Sequence, residues 1–355
     1  AIANPDLKWE TSEQSDLGLD INLLKDKLSI SSDYYVKTTK DLLIRPNILS
    51  SVGYSAPYVN GGNVQNKGIE LGITYNDKIG DLGMNLSFNI SHNTNKVTQI
   101  NNTAQALAGA AYISLGSITR MAVGQPIGYF WGQRTAGIFQ TQAEVDAYTY
   151  TNPTTGAVKK IQPNAKPGDL KFVDTNNDGS ISDLDRTNIG DPNPKYITGF
   201  TINLNYHNFD FSLFTIGMFG QKVFNGNYRF DKTVSNMPAT MLDHWTPDNT
   251  GAKFPRFIST DPNKNYATVS DLLLENGSFV RVKNIQLGYS LPAGLISKAR
   301  LTRLRLFAAV DNAFTITKYT GFDPEIGATN PLSLGIDRGV YPQSITFRFG
   351  INAKL

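Results

Sequence analysis

The chain has 355 residues, no cysteine, and a formal charge of +3 from 33 basic and 30 acidic side chains. Disulfide frameworks, thiolate metal sites and cysteine nucleophiles are thereby excluded, and a charge so balanced, with no basic block, leaves no footprint for nucleic acid. No run of about 18 apolar residues occurs, which excludes a helical membrane span, while 31 glycines and 11% aromatics suit strands and turns.

The chain opens Ala1-Ile2-Ala3-Asn4-Pro5, without the charged and apolar stretches of an export signal, so export is not legible from this end. From there on, period-two alternation recurs in segments of about ten residues, the length of a membrane-crossing strand. Strands are expected at 10–22, 28–41, 66–76, 81–93, 115–124, 128–138, 195–206, 209–220, 278–290, 303–316 and 344–355. The clearest sets Leu82, Met84, Leu86, Phe88 and Ile90 against Gly83, Asn85, Ser87, Asn89 and Ser91. The segment 195–206 carries Tyr196 and Tyr206 at the two ends of its apolar face, and the last sets Phe347, Phe349 and Ile351 against Arg348, Gly350 and Asn352. Segments 115–124 and 278–290 are irregular; in the second, Arg281 and Lys283 share a face with Ile285 and Leu287. Ten residues at ~3.3 Å each, tilted by ~40°, project to ~25 Å, the height of an outer-membrane apolar band.

A soluble sandwich also alternates. Link lengths favour the membrane: short links (23–27, 77–80, 125–127, 207–208, 291–302) alternate with long ones (42–65, 94–114, 139–194, 221–277, 317–343), as in barrels with short inner turns and long outer loops. The expectation is an all-β protein, an antiparallel transmembrane β-barrel with long extracellular loops. An odd strand count fits only part of a barrel, because bacterial single-chain barrels are even, so the remaining strands come from elsewhere.

One local motif carries metal chemistry. In Asp174-Thr-Asn176-Asn-Asp178-Gly179-Ser180-Ile181-Ser182-Asp-Leu-Asp185, side-chain oxygens stand at loop positions 1, 3, 5 and 12 with glycine at 6, the spacing of an EF-hand loop. Asp174, Asn176, Asp178, Asp185 and the Ser180 carbonyl are the expected ligands of a structural Ca²⁺, with Mg²⁺ the lesser candidate; Asp185 stands where an EF-hand has the longer Glu. An ion-free Asx-rich turn is the plainer alternative. Catalytic patterns are lacking: His92, His207 and His244 are scattered, and no HExxH, GxSxG or phosphate-binding loop occurs. Asp20, Asp33, Glu70 and Arg348 fall on polar strand faces and would line a lumen. Tyr148, Phe224, Tyr228, Trp245 and Tyr266 in the long links would suit sugar stacking or a peptide groove equally.

Across nearly its whole length the chain resembles the SusC/RagA-like TonB-linked outer-membrane proteins of Bacteroidetes. The resemblance rests on the order and spacing of residues 4–10 (NPDLKWE), 66–71 (NKGIEL), 126–132 (PIGYFWG), 137–141 (GIFQT), 166–200 (KPGDLKFVDTNNDGSISDLDRTNIGDPNPKYITGF), 241–247 (MLDHWTP), 277–292 (GSFVRVKNIQLGYSLP), 322–325 (FDPE) and 341–343 (YPQ). It implies a 22-stranded barrel with a plugged lumen, of which this chain would be the C-terminal half, about eleven strands, with plug, TonB box and first barrel half lying outside it. It implies import of glycans or peptides, a SusD-like lipoprotein lid over the outer loops, and drive by the TonB-ExbB-ExbD complex. Leu355 departs from the aromatic residue that often ends such barrels. A passive porin-like channel and a secreted Ca²⁺-binding adhesin or carbohydrate-binding β-protein are the competing readings.

Overall fold

The computed structural model describes residues 4–44, 53–55, 57–102, 104–228, 236–297 and 300–355; parts of the expected links 42–65, 94–114, 221–277 and 291–302, and Ala1 to Ala3, lie outside these. Nine strands form one antiparallel sheet in chain order: β1 (Thr11–Leu23), β2 (Leu28–Lys40), β3 (Gly62–Ile79), β4 (Leu82–Ile100), β5 (Tyr196–Tyr206), β6 (Phe209–Phe219), β7 (Phe279–Ser290), β8 (Arg303–Thr317) and β9 (Thr346–Lys354). The sheet is open. β1 and β9 run in the same sense, so they cannot close it on each other by antiparallel pairing.

The register turns the alternation of each strand into a property of the whole sheet. One row of directly paired residues runs Leu23, Leu28, Tyr75, Leu86, Ile202, Leu213, Ile285, Val310, Phe347, one from each strand in order. All nine are apolar or aromatic. A row on the opposite face runs Asn76, Asn85, Asn203, Ser212, and its side chains hydrogen-bond in series at 2.6, 3.1 and 2.8 Å. Amides that would be costly in hydrocarbon thus satisfy one another on the face away from it. The apolar face keeps large side chains uncovered even in mid-sheet, with Ile69 54% and Leu287 53% exposed. In water such a face would be a liability; it suits an apolar solvent.

The irregularity at 278–290 is a β-bulge. Thr215 pairs with Val282 and Phe214 with Asn284, so Lys283 is an extra residue on β7. Before it Arg281 shares the polar face with Thr315; after it Ile285, Leu287 and Tyr289 return to the apolar face. The insertion shifts the alternation by one, which is what a bulge does to a strand.

Two of the eleven expected segments are not wall strands. Residues 115–124 and 128–138 contribute Thr119–Ala122 and Tyr129–Gly132 to a separate four-stranded sheet with Ala106–Ala108 and Thr187–Gly190. Strands of four residues reach only ~13 Å, about half of the ~25 Å band. Residues 125–127 are accordingly not an inner turn, and the expected links 94–114 and 139–194 belong to one excursion, 101–195. Both strands of the β3–β4 hairpin run longer than expected and extend beyond the wall, where Val64, Val97 and Ile100 pack with Met121, Ile127 and Leu332.

Candidate functional site

All the remaining chain-reversing links of one end are short (24–27, 80–81, 207–208, 291–302), and all those of the other are long (41–61, 101–195, 220–278, 318–345). The long links carry the molecule's main core. Tyr112, Ile118 and Phe130 from the first large excursion, Phe224, Tyr228, Met241, Phe254, Tyr266, Val269 and Leu273 from 220–278, and Ile336 from 318–345 form a single buried cluster. Because the wall faces an apolar medium on one side and a polar space on the other, it has no interior, and the burial that stabilises a soluble domain is moved into this loop layer.

The layer corrects the reading of the loop aromatics. Phe224, Tyr228, Trp245 and Tyr266 are at most 9% exposed, and Tyr148 packs near Phe139, Val145 and Ala165 while donating to the Phe172 carbonyl at 2.6 Å. They hold the layer together and are not free to stack a ligand. Phe322 and Tyr341, 69% and 86% exposed, are the aromatics this layer leaves uncovered beside β8 and β9.

Buried polar groups bind the links to one another. Arg256 donates from Nε and Nη2 to both oxygens of the fully buried Asp169 at 2.6 and 2.9 Å, and Asn265 donates to it at 2.8 Å. Glu275 accepts from Thr320 N at 2.9 Å and from Lys253 Nζ at 3.0 Å. Burial pushes the Glu275 carboxyl up, but the bonds from Thr320 and Lys253 outweigh it and hold it below its ordinary value. Asp337, also fully buried, accepts from Tyr319 at 2.6 Å and Asn227 at 2.8 Å; burial and that carboxylate push the Tyr319 phenol up.

The layer is tied to the wall at the bulge. Arg281 donates to Asp323 at 2.6 Å, Glu325 at 2.7 Å and Thr315 at 2.7 Å, while Lys283 reaches Glu325 and Gln343, each at 3.0 Å. Three motifs far apart in sequence, around 281–283, 322–325 and 341–343, therefore form one cluster. Sequence reasoning missed it; the visible signal was the pair of cations on an otherwise apolar segment. Lower in the wall, Arg305 crosses β7 to clasp Asp210, with Nε 2.8 Å from Oδ1. Gly288 makes this possible, since a Cβ there would strike both partners.

The polar-face assignments follow the pairing. Asp33 lies directly opposite Glu70, Asp20 opposite Ser31, and Arg348 binds Asp311 at 2.7 Å. The histidines stay apart: His92 contacts the Lys195 carbonyl, His244 the Met241 carbonyl, and His207 sits in the 207–208 turn at φ 50°.

The Asp174 to Asp185 stretch is a closed loop. Gly179 has φ +81° and Asn177 +57°, the left-handed values that favour Gly and Asn. Asp174 accepts from the N–H groups of Asp178 (3.1 Å) and Gly179 (2.7 Å). Asp185, fully buried, accepts from Thr175 (2.8 Å), Asn176 (3.2 Å) and Ser182 (2.8 Å). Asp178 accepts from Ser180 and Asn176, and the Ser180 hydroxyl holds its carboxyl below the ordinary range. The donor set is the hard-oxygen kind that Ca²⁺ takes. The oxygens are turned to the loop's own N–H groups, and among the described residues no three acidic or histidine side chains gather as a metal site.

Strands with one apolar and one polar face, short turns at one end and a folded loop layer at the other define the wall of a transmembrane antiparallel β-barrel. The chain belongs to the TonB dependent receptor-like β-barrel family, whose model matches residues 1–313. It is 33% identical over 363 residues to TonB-dependent receptor P3 of Formosa agariphila, covering 99% of this chain and 35% of that one. It is 28% identical to TonB-dependent receptor SusC of Bacteroides thetaiotaomicron, covering 99% and 32%. The RagAB peptide importer in its 'closed-closed' state has a similar fold, with a TM-score of 0.73 at 24% identity, covering 99% of this chain and 36% of that chain. The chain spans about a third of the length of the relatives it matches.

Proposed function

We propose that this chain is part of the wall and outer loop layer of an outer-membrane nutrient importer that works with a SusD-like surface lipoprotein as lid and is driven through TonB, ExbB and ExbD. The observation that carries the reading is the division of labour in the fold: an apolar row unbroken across nine strands, a polar inner face, and a loop layer with its own core at one end only. Its relatives, named as receptors, and the peptide importer of similar fold support binding and transport as the work done. The remaining barrel strands and a plug would come from the rest of the polypeptide. The cargo is an oligosaccharide or oligopeptide.

The test is uptake by cells carrying the full-length protein, measured with and without a proton-motive-force uncoupler. Import should stop on uncoupling and in a strain lacking TonB. Uptake that persists at an unchanged rate would make the protein a passive pore.

We also propose that the Asp174 to Asp185 loop takes one Ca²⁺ on Asp174, Asn176, Asp178, Asp185 and the Ser180 carbonyl, as a staple of the outer layer. Support comes from the donor chemistry and the left-handed turn at Gly179.

A further inference from the structure

The apolar face of the wall changes chemistry at its long-loop end. Leu17, Tyr34, Ile69, His92, Tyr196 and Phe219 pair directly across β1 to β6, and His92 stacks on Tyr196 with ring centroids 4.7 Å apart. Tyrosines at that end of a lipid-facing surface mark the level of the headgroups. Lys67 and Lys96 continue the same outward phase beyond this row, ~7 and ~13 Å along β3 and β4. Thr94 lies directly opposite Lys67 and Gln65 opposite Lys96, so the two lysines are diagonal neighbours, ~7 to 8 Å apart at Cβ. Both are exposed, as is Thr94 beside them. The inward phase of the same hairpin does the reverse: Val64 and Val97 are buried under the loop layer, which turns the lysines outward. Their charge is unmatched. Neither has a carboxylate within ion-pair distance among the described residues, and Glu13, the acid in the row of Lys96, is taken by Lys40 at 2.5 Å. Because β3 and β4 are flanked by β2 and β5, the rest of the barrel wall adjoins neither of them, and a plug would sit against the opposite face.

We propose that Lys67 and Lys96, with Thr94 beside them, form a docking surface for the phosphate of an outer-leaflet lipid headgroup. The patch is continuous with the lipid-facing surface: Ile69, Leu71, Phe88 and Ile90 lie below it on the same two strands, where the acyl chains of such a lipid would rest. Lysine stems lie along apolar surface and carry their charge to the headgroup level. A phosphate oxygen accepts from each ammonium, and one phosphate relieves the repulsion between two neighbouring like charges. At the edge of the hydrocarbon this attraction is stronger than in bulk water. The inference shares with the import reading above only the placing of the long links on the outer side.

The full-length protein in a neutral detergent is titrated with monophosphoryl lipid A, with the same lipid A freed of its phosphate, and with inorganic phosphate, and the bound lipid is counted by native mass spectrometry. At low salt the phosphorylated lipid should bind about tenfold more tightly than its phosphate-free twin, since both lysines act on one headgroup. The preference should vanish in K67Q/K96Q and persist in K67R/K96R, which keeps both charges. Inorganic phosphate should not displace the lipid, because the acyl chains hold it on the apolar face. Equal binding of the two lipids by the unaltered protein would overturn the proposal. So would a preference that survives in K67Q/K96Q or is lost in K67R/K96R. Displacement by inorganic phosphate at equal concentration would overturn it in favour of a free-anion site. Loss of lid co-purification in K67Q/K96Q, with the lipid preference intact, would give the patch to a protein partner. Uptake that persists under an uncoupler would strike the import reading alone.

Discussion

Arg281→Met removes the guanidinium from a carboxylate, Asp323, that is 4% exposed and has few other donors. Breaking one side of a buried ion pair costs about 3 to 5 kcal/mol, so the melting temperature should drop and protease should cut within 318–345. An unchanged digest would mean that the loop is held elsewhere. Acid should act on the same groups. Asp323 is pushed up by burial, but the Glu325 N–H, Arg281 and Gln343 outweigh this and leave its carboxyl, like that of Glu275, below the ordinary value. A depressed folded value contributes stability that is fully present above the unfolded pKa of ~4 and disappears as pH falls through the folded one. The loop layer should therefore resist protease unchanged from neutrality to about pH 5 and loosen only below about pH 4; loosening already at pH 6 would contradict these pairings. For the Asp174 loop, Asp174→Ala or a chelator should raise nicking within 174–185 and leave the wall folded, while terbium luminescence should report the ion directly. No luminescence and no change on chelation would leave the loop standing on its own N–H bonds.

At the scale of the strand, the phase of alternation decides the solvent each side chain meets. Phe347→Arg, placed on the apolar row, should destabilise the assembled barrel by about 2 to 4 kcal/mol if it lies near the midplane. Cysteine scanning should agree: a lipid-soluble probe should label position 86 and spare 85, since Leu86 and Asn85 lie in opposite rows. The reverse pattern would put the lumen on the wrong face. Gly288→Val tests the ion pair that crosses β7. Its side chain would occupy the space between Arg305 and Asp210, so the pair should separate and destabilise the wall more than Gly83→Val, whose Cβ would meet nothing closer than 3.8 Å.

Taken whole, the molecule is a wall without an interior joined to a loop layer that has one. The large excursion 101–195 and the links 220–278 and 318–345 share the same core, and buried carboxylates join them in pairs, Asp169 with Arg256 and Asp337 with Asn227, so the layer should respond as a unit. We expect deletion within 236–276 to loosen 318–345 as well, seen as new cleavage there, and to reduce co-purification of the lid lipoprotein with the full-length protein. Cleavage confined to the deleted link, with the lid still retained, would mean independent loops.

The sequence by itself determined the all-β class, the alternating faces, the placement of all nine wall strands to within a few residues at most ends, and the alternation of short and long links outside 101–195. These are local properties, since a period of two and the solvent on either side fix them strand by strand. What it could not separate was a wall strand from a short strand of the loop layer: 128–138 and, less regularly, 115–124 read as strands as well, and only the tertiary structure shows the one paired with 187–190 and the other with 106–108 and 129–130. It read the β7 irregularity as weakness, because a bulge is visible only against its neighbours, β6 and β8. Tertiary structure alone also decided that Phe224, Tyr228, Trp245 and Tyr266 are core rather than contact surface, and that Arg281 meets Asp323 and Glu325. Those contacts join residues tens of positions apart, and which distant side chains share a buried space depends on how the links fold over one another, which no local period encodes.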